Sequence, residues 1–251
     1  MCLRKIYIIL IFCVVLLSRL AFAQDPVAVK AIDAKADKVL RQMSDYLNTL
    51  EQFSIHLENS VDTLLETGQK IQLGRSVDVS IKRPNRLRAD INGDIFNQQL
   101  FYDGKSVTLY GKKVNYYATA KAPENIESTL DYAEQSFGLV APAADLIYRN
   151  SYDILIEDVQ SGGYAGLSTV FGVECHHLAF RGKETDWQIW IENSETPLPR
   201  KFVITSKWLA GAPQFTALLT GWNVSAQLKE SLFTFLAPDK AEKIKFLPVE
   251  N

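Results

Sequence analysis

The residues with the clearest potential for chemistry form one short run, Glu174-Cys175-His176-His177. Carboxylate, thiolate and imidazole groups are common zinc ligands, so the composition of this run suggests a metal centre. The flanking alternation predicts a β-strand, however, and neighbouring side chains of a strand point to opposite faces. A site would need Cys175 and His177 together with the distant His56, and no C-x-x-C or H-x-x-x-H spacing supports it. We therefore predict no metal and a buried Cys175 that acts as a small hydrophobe.

Motifs of hydrolases and nucleotide-binding proteins do not occur in the sequence. It contains no G-x-S-x-G nucleophile elbow and no H-E-x-x-H zinc-protease motif. Ser161-Gly162-Gly163 is rich in glycine like a phosphate-binding loop, but it falls between two predicted strands and not between a strand and a helix. We interpret it as a loop. The sequence offers no catalytic residue and no cofactor site, and we predict that the protein is not an enzyme.

Basic residues are concentrated at two places. They are Lys82, Arg83, Arg86 and Arg88, followed much later by Arg200-Lys201. The favoured interpretation is a solvated sheet edge that its charges protect from further pairing. The alternative is a patch that binds an anionic headgroup or an acidic partner.

The stretch Asp186–Lys207 is predicted to be a β-hairpin. Apolar and polar side chains alternate on both sides of a loop that contains Pro197-Leu198-Pro199, where proline fixes φ. Trp190 and Val203 place apolar groups on the second face as well. A sheet with one face in water would not need them, so each face of this hairpin requires a cover.

Residues 1–23 are predicted to be a secretory signal peptide. Arg4 and Lys5 precede an apolar run, and Ala21-Phe22-Ala23 matches an A-x-A cleavage site. A membrane anchor is the alternative, but the run is shorter than the roughly 20 residues that span a bilayer. Gln24 follows the cleavage site, where a lipoprotein has cysteine. We expect a cleaved, exported protein that is not a lipoprotein and has no transmembrane segment.

Residues 24–251 are predicted to form a single domain. The predicted signal peptide contains three of the 27 basic residues, which leaves 24. The domain has 29 acidic residues, so its net charge is about −5. This charge does not suggest a nucleic-acid partner. Cys175 is the only cysteine after residue 23, so no intramolecular disulfide can form and a packed core must provide the stability.

An amphipathic helix and a meander are predicted in the first half of the chain. Apolar residues recur at three- and four-residue steps from Pro26 to Leu50, which is typical of a helix with one buried face. Alternating segments follow, and Asn92-Gly93 and Asp103-Gly104 are hairpin turn signals because these residues tolerate positive φ. Such hairpins favour an antiparallel sheet. The predicted strands are Phe53–Glu58, Ile71–Ile81, Leu87–Ile91, Asn97–Tyr102, Ser106–Tyr110 and Val114–Ala118.

A helical insertion, defined here as Pro123–Arg149, is predicted to interrupt the strands. Its apolar residues have helical spacing, Gly138 can end the first helix, and Pro142 opens a second short piece. The insertion is either a fixed cap on the core or a movable lid over a cavity, and periodicity does not separate the two. Later strands are predicted at Tyr152–Val159, Val173–Arg181 and Phe215–Val224, with Ser231–Phe235 as a final edge element.

Five blocks of the sequence carry a resemblance that covers nearly the whole chain after residue 23. They are FYDGKSVTLYGKKVNYYATAKAPENIESTLDYA, APAADLIY, GVECHHLAFRGKETDWQIWIE, PLPRKFVIT and SLFTFLAPDKAEKI. In order and spacing they resemble a family of predicted periplasmic proteins, domain of unknown function 2092, which is itself similar to the LolA-like lipoprotein carriers. The resemblance implies a periplasmic α+β protein with an N-terminal helix and an incomplete antiparallel β-barrel whose mouth is plugged by central helices. It transfers no functional residue of the carriers to a position in this chain.

The leading hypothesis is a periplasmic protein that binds a hydrophobic or amphiphilic ligand between the curved sheet and a helical lid. A lipid, an acyl chain or a lipoprotein anchor would suit such a site. The candidate ligand-binding residues are Ile126, Leu130, Phe137 and Leu146 from the insertion and Trp187, Ile189 and Phe202 from the sheet. The alternative is a structural or interaction module with a permanently filled barrel, which would bind another protein of the cell envelope.

Overall fold

The computed structural model describes residues 31–249. The predicted signal peptide, its cleavage site and the first residues of the predicted helix at Pro26 lie outside the described residues. The helix itself begins later than predicted. Asp33 caps it, because its carboxylate accepts hydrogen bonds from the amides of Lys35 and Ala36 at 2.9 and 3.0 Å. Ile32, which the periodicity placed in the helix, belongs instead to a short strand.

Helical and extended segments alternate in the described residues in the predicted order of helix, meander, helices and second meander. The strands are β1 (Ala31–Ile32), β2 (Gln52–Leu64), β3 (Lys70–Lys82), β4 (Arg86–Gly93), β5 (Asn97–Tyr102), β6 (Ser106–Gly111), β7 (Tyr116–Lys121), β8 (Val159–Val170), β9 (Val173–Gly182), β10 (Thr185–Glu192), β11 (Pro199–Ser206), β12 (Gln214–Asn223) and β13 (Glu242–Ile244). The helices are α1 (Ala34–Thr49), α2 (Ile126–Phe137) and α3 (Ser151–Ile156), with 3₁₀ turns at Ala144–Ile147 and Glu230–Phe233.

All these strands form one curved 13-stranded sheet with the order β1-β8-β9-β10-β11-β12-β2-β3-β4-β5-β6-β7-β13. Two antiparallel meanders, β2–β7 and β8–β12, are joined where β12 pairs with β2. The outermost strands β1 and β13 are short and pair in parallel with β8 and β7, so the sheet is mixed at its edges. Because β1 and β13 do not pair with each other, the barrel is incomplete, and the predicted fold class is confirmed.

The turns of the first meander confirm one predicted hairpin and correct another. Gly104 has a φ of +85° in the turn between β5 and β6, as the Asp103-Gly104 signal predicted. Asn92 and Gly93 lie inside β4, and residues 94–96 form the loop. Gly93 serves close packing, since a Cβ on it would lie 2.7 Å from the Cβ of Arg75 on β3.

The predicted strand Tyr152–Val159 is wrong over most of its length, because Ser151–Ile156 forms α3. Alternation over six residues does not distinguish a strand from a helix of fewer than two turns. Contacts with α1 decide between them here. The buried hydroxyls of Ser44 and Ser151 lie 2.8 Å apart, and the amide of Tyr152 donates to the Ser44 hydroxyl at 3.0 Å.

Ser161-Gly162-Gly163 forms part of β8 and not the predicted loop. A Cβ on Gly162 would lie 2.4 Å from the ring of Phe180 on the neighbouring strand. A Cβ on Gly163 would have no heavy atom within 4 Å. The glycine at 162 therefore allows an aromatic ring to lie across the strand.

The final edge element also differs from the prediction. Residues Glu230–Phe233 form a 3₁₀ turn, and the edge strand is β13, Glu242–Ile244, beside β7. The ring of Phe235 packs on the outer face of the sheet against three aromatic rings, those of Phe101, Tyr110 and Tyr117. Aromatic packing thus holds this segment where the alternation Ser231–Phe235 predicted ladder hydrogen bonds.

Helix α1 covers the inner face of the hairpin β10–β11. Its fully buried residues Ala36, Leu40 and Met43 belong to the same core cluster as Trp187, Ile189 and Phe202. Each large apolar side chain buried there contributes about 1.5–3 kcal/mol. The cover for this face is therefore the N-terminal helix.

The outer face of the same hairpin has a small core of its own. It consists of Val170, Cys175, Trp190 and Val203. The imidazole of His177 stacks on the Trp190 ring with 4.0 Å between centroids, and the Lys201 ammonium lies 4.5 Å from that ring's centroid. Both apolar faces of the hairpin are therefore covered, as its alternation required.

Candidate functional site

A cavity of about 210 Å³ lies between the first meander and the helical insertion. Its floor consists of inward-facing residues of β2 to β6 and β12, and its roof consists of α2, the following loop and the first 3₁₀ turn. The lining residues are Ile55, Leu57, Asn59, Arg75, Val77, Val79, Leu87, Ala89, Ile91, Gln98, Leu100, Leu109, Leu130, Ala133, residues 139–144, Leu146, Ile147, Leu219 and Trp222. Nearly all are apolar, so the cavity suits an aliphatic or aromatic group.

Strand register brings the floor residues to one face. Leu57 on β2 is paired with Val77 on β3, and Val77 is paired with Ile91 on β4. Paired residues of antiparallel strands point to the same side, so the apolar set continues across three strands. The apolar residues in the predicted alternation of β3 therefore form part of the cavity floor.

The roof contains a loop, residues 138–143, that begins and ends at a left-handed backbone position. Gly138 ends α2 with a φ of +65°, and Ala143 precedes the 3₁₀ turn with a φ of +69°. Left-handed backbone suits glycine and strains alanine. Val140 in this loop lines the cavity and is 63% exposed, so the loop separates the cavity from solvent.

A buried arginine attaches the insertion to the sheet. The Arg83 guanidinium, whose side chain is 1% exposed, donates to the Glu127 carboxylate of α2 at 3.2 Å. It also donates to the carbonyls of Leu50 at 3.1 Å and Ile147 at 2.6 Å. Burial lowers the pKa of Arg83, and the Glu127 charge opposes that shift. One side chain therefore joins the end of β3 to α1, α2 and the 3₁₀ turn.

Acidic groups surround the roof on its other side. The Tyr148 hydroxyl donates to the Asp131 carboxylate at 2.8 Å. Burial raises the pKa of Asp145, and the charges of Glu134 and Asp131 raise it further. Ionisation of Asp145 therefore opposes the packed position of the 3₁₀ turn.

One end of the cavity is polar. Asn59, Arg75 and Gln98 line it there, with Asn59 paired with Arg75 across β2 and β3. Burial lowers the pKa of Arg75, and desolvation is the cause. The Oδ1 atom of Asn59 is buried and receives no hydrogen bond from the described residues.

The structure brings two of the predicted site residues, Leu130 and Leu146, to the cavity. Ile126 lies in a neighbouring core cluster with Phe53 and Tyr102. Phe137 stacks on the ring of Phe246 at a centroid distance of 4.3 Å, away from the lining. Whether these residues contact a ligand stays a prediction.

Trp187, Ile189 and Phe202 do not line this cavity. They are at most 7% exposed and pack in the core cluster that includes α1. They were predicted to face a ligand between the sheet and a helical lid, and in the structure α1 covers them.

Arg75, Asn59 and Trp222 also line the cavity and were not among the predicted site residues. Arg75 carried a signal, because it occupies an inward position of β3 between the apolar Leu73 and Val77. A basic residue inside an apolar alternation marks a position where a buried charge needs a partner. No comparable signal distinguished Trp222 from a core residue.

The two histidines of β9 contact neighbouring polar side chains, and Cys175 is buried. The Tyr164 hydroxyl and His176 Nδ1 lie 2.9 Å apart, and His177 Nε2 lies 3.0 Å from the Gln188 side-chain oxygen. His56 is on β2, four strands away from β9, which is about 19 Å at a spacing of about 4.8 Å per strand. Among residues 31–249, no cluster of three or more potential metal ligands occurs.

Five of the six basic residues singled out above form ion pairs, Lys201 lies over the Trp190 ring, and none of the six lies at a sheet edge. Lys82 and Arg86 both contact Glu230, at 2.5 and 2.7 Å. Arg88 pairs with Asp90 at 2.7 Å, and Arg200 pairs with Glu192 at 2.5 Å. Their strands β3, β4 and β11 have neighbours on both sides, which corrects the edge interpretation.

A family model described as a predicted periplasmic protein, DUF2092, matches residues 36–247. No curated protein matches the sequence. In the part of the chain that the structure describes, no helix is long and apolar enough to cross a membrane.

Solved structures with similar architecture were also found. The Mycobacterium tuberculosis lipoprotein LppX has 10% identity and a TM-score of 0.44, covering 78% of this chain and 100% of LppX. A LolA superfamily protein from Nitrosomonas europaea has 10% identity and a TM-score of 0.39, covering 80% of this chain and 97% of that one. MucB has 14% identity and a TM-score of 0.46, covering 82% of this chain and 64% of MucB. MucB is also known in a complex with MucA from Pseudomonas aeruginosa.

Proposed function

We propose, from the premise that the chain belongs to the DUF2092 family of predicted periplasmic proteins, that it is a non-enzymatic binding protein for a hydrophobic ligand. The observation that carries this proposal is the apolar cavity of about 210 Å³ between the sheet and the insertion. Apolar cavities of roughly 150 Å³ in protein cores bind benzene. The cavity therefore accommodates a small apolar group without rearrangement, and a longer acyl chain requires the roof to move.

The proposed mechanism is burial without covalent chemistry. An acyl chain enters where residues 138–143 separate the cavity from solvent, and its carbons replace contacts of the roof. Affinity increases by about 0.8 kcal/mol for each methylene group that leaves water. The Arg83 contacts keep α2 and the 3₁₀ turn attached, so the loop between them is the part that moves.

The attachment of the roof at both ends supports this division into fixed and moving parts. Asn125 caps α2 by accepting from the Ser128 amide at 2.8 Å, and the Ile126 amide donates to the Pro84 carbonyl at 3.0 Å. After the loop, the Tyr148 and Arg83 contacts hold the 3₁₀ turn. Residues 138–143 have no polar side chain, so only backbone hydrogen bonds and apolar contacts hold this loop.

A cavity-filling substitution tests the proposal. Ala89 lies on the floor at the centre of β4, paired with Val79 and Leu100. Ala89→Phe is expected to abolish binding of an apolar fluorescent probe, measured by titration. Val114→Phe, at a position that is 62% exposed, is the matched control and is expected to bind as the wild type does.

Native mass spectrometry and lipid extraction of the protein purified from its own periplasm give the natural ligand. Recovery of an acyl-chain amphiphile from the wild type, and its loss from Ala89→Phe, is the expected result. A wild-type protein that binds no apolar probe and carries no amphiphile would contradict the proposal.

A second candidate function, recognition of an envelope protein, is favoured by exposed apolar loops at one end of the sheet. Ile95 and Phe96 between β4 and β5 are 55% and 56% exposed, and Trp208 between β11 and β12 is 66% exposed. Such side chains at loop tips are typical of protein-binding sites. Cross-linking in the periplasm distinguishes the two functions, because one stoichiometric protein partner without lipid favours recognition.

A further inference from the structure

We propose that the cavity selects amphiphiles with a single negatively charged carboxylate head, which Arg75 binds at the polar end while the apolar tail fills the rest. This inference rests on the proposed function, since it names the chemical class of the ligand.

The position of Arg75 is the first observation. It lies at an inward-facing position of β3, two residues before Val77, which is buried on the cavity floor. Its cross-strand partners are Asn59 on β2 and Gly93 on β4. No side chain other than hydrogen fits at Gly93, because a Cβ there would lie 2.7 Å from the Arg75 Cβ. Glycine at position 93 therefore leaves room for the inward-facing Arg75 side chain on the neighbouring strand.

The absence of a partner for Arg75 is the second observation. No ion pair or hydrogen bond of its side chain is found within residues 31–249. Desolvation alone lowers the pKa of Arg75, so no nearby carboxylate offsets its burial. Arginine stays charged at any physiological pH. Partly buried charges are normally paired, and an anion from outside the chain would supply the missing partner.

Arg83, which is also inward-facing, has the partners within the fold that Arg75 lacks. Arg83 lies eight residues after Arg75, directly after the end of β3, and it is more deeply buried than Arg75. It has a carboxylate partner, Glu127, and two carbonyl partners. The same side of the sheet therefore contains one arginine whose hydrogen-bonding capacity is used within the fold and one whose capacity is not.

The neighbouring amides complete the polar end. The Asn59 Oδ1 atom is buried without a hydrogen bond from the described residues, and the Gln98 side chain lines the same cavity. Each side-chain amide has both a donor and an acceptor. Two amides beside a guanidinium can satisfy a head group that has a charged oxygen and a second polar atom.

A carboxylate fits this end better than a phosphate monoester. The guanidinium presents a planar fork that matches the two oxygens of one carboxylate. Arg75 is the only basic residue of the cavity lining. Its single positive charge neutralises a carboxylate, which has one negative charge, but does not neutralise a phosphate monoester that has two. The apolar remainder of the lining requires the rest of the molecule to be aliphatic.

Matched ligands and variants test the inference. Octanoate and octanol share a chain length and differ in the charge of the head group. The delipidated wild-type protein is expected to bind octanoate about 10- to 100-fold more tightly than octanol, the range of one charge-assisted hydrogen-bonded pair. Arg75→Met keeps an unbranched apolar stem, removes the guanidinium, and is expected to abolish that preference while it retains octanol binding. Arg75→Lys is expected to restore part of the preference.

Arg181→Met removes an arginine whose side chain is 68% exposed and is the control for a general change of charge. It is expected to leave the octanoate preference unchanged. Thermal unfolding checks that each variant is folded, and Arg75→Met is expected to be at least as stable as the wild type because it removes an unpaired charge.

The outcomes separate the two proposals. A wild type that binds neither ligand contradicts the proposed function. A wild type that binds both equally, with no effect of Arg75→Met, contradicts the carboxylate head alone and leaves the hydrophobic site in place. If Arg75→Met does not fold, the folded variant Arg75→Lys provides the test. A preference for octanoate that decreases as the salt concentration rises supports the inference, and a preference that salt does not change overturns it.

Discussion

Arg83 and Glu127 form a buried ion pair, 3.2 Å between Nη1 and Oε1, that joins the end of β3 to the first turn of α2. The pair is the main polar connection between the sheet and the insertion, and the cavity lies beyond it. We therefore expect α2 to stay attached when the proposed ligand displaces the loop that follows it.

Loss of the Arg83–Glu127 pair is expected to destabilise the protein. Glu127→Gln leaves an arginine that is 1% exposed without a charged partner, at an expected cost of about 1–3 kcal/mol in the free energy of unfolding. Urea unfolding measures the change, and hydrogen exchange should increase first in α2.

The control for this prediction is the exposed pair Arg149–Glu51, whose side chains are 42% and 70% exposed. Arg149→Met is expected to cost less than about 1 kcal/mol. Equal costs for Glu127→Gln and Arg149→Met would contradict the anchoring role of Arg83.

Adjacent glycines on β8 are expected to respond differently to alanine. Gly162→Ala places a Cβ 2.4 Å from the Phe180 ring and is expected to destabilise the protein by about 1–3 kcal/mol. Gly163→Ala has open space and is expected to stay within about 0.5 kcal/mol of the wild type. Thermal unfolding compares the two, and similar effects would mean that the Gly162–Phe180 contact is unimportant.

Asp145 is expected to make the stability of the roof depend on pH. Burial and neighbouring carboxylates raise its folded-state pKa above the unfolded-state value. The folded chain therefore holds this proton more tightly, and the resulting stability is complete below about pH 4 and lost as the pH rises through the folded pKa.

Asp145→Asn removes this dependence. At pH 7 the variant is expected to melt at a higher temperature than the wild type. At about pH 3.5, where the wild-type carboxyl is protonated, the two proteins are expected to melt at nearly the same temperature. Asp158→Asn, at an exposed position after α3, is the control and should show no such difference. A wild-type advantage at pH 7 would show that the Asp145 charge is favourable.

Trp222 is expected to report ligand binding by fluorescence. Its indole lines the cavity, and its Nε1 donates to the Pro199 carbonyl at 3.0 Å, which fixes the ring at the wall. An apolar ligand should change the fluorescence emission of the wild type. The control variant Trp208→Phe should show the same change, because Trp208 is 66% exposed on a loop and does not line the cavity. Trp222→Phe should lose the change. A change that persists in Trp222→Phe would place the ligand elsewhere.

Periodicity predicted the elements that are stabilised locally. The amphipathic pattern of α1, the capped and glycine-terminated α2, and the hairpin β10–β11 all carry signals within a few residues of each other. The resemblance of the sequence blocks added the incomplete barrel. These features depend on short-range geometry, which the order of residue types expresses directly.

Features that depend on distant partners were not predictable in this way. The cover of Trp187 is α1 because β8 to β10 lie beneath that helix, and strand order is set by pairings far apart in sequence. α3 is a helix because Ser44 holds it. Arg75 was not predicted because the apolar alternation of β3 shows which face is inward but not which inward positions border a cavity.

The pairing of β2 with β12 has a consequence for how the protein folds. Both meanders are built from neighbouring hairpins, which form quickly, whereas Val61 and Phe215 must meet across most of the chain. The cavity lies across this junction, since Ile55 and Leu57 come from β2 and Leu219 from β12. We expect the junction to close last and the cavity to exist only afterwards, so that a ligand recognises the completed fold and stabilises it by mass action.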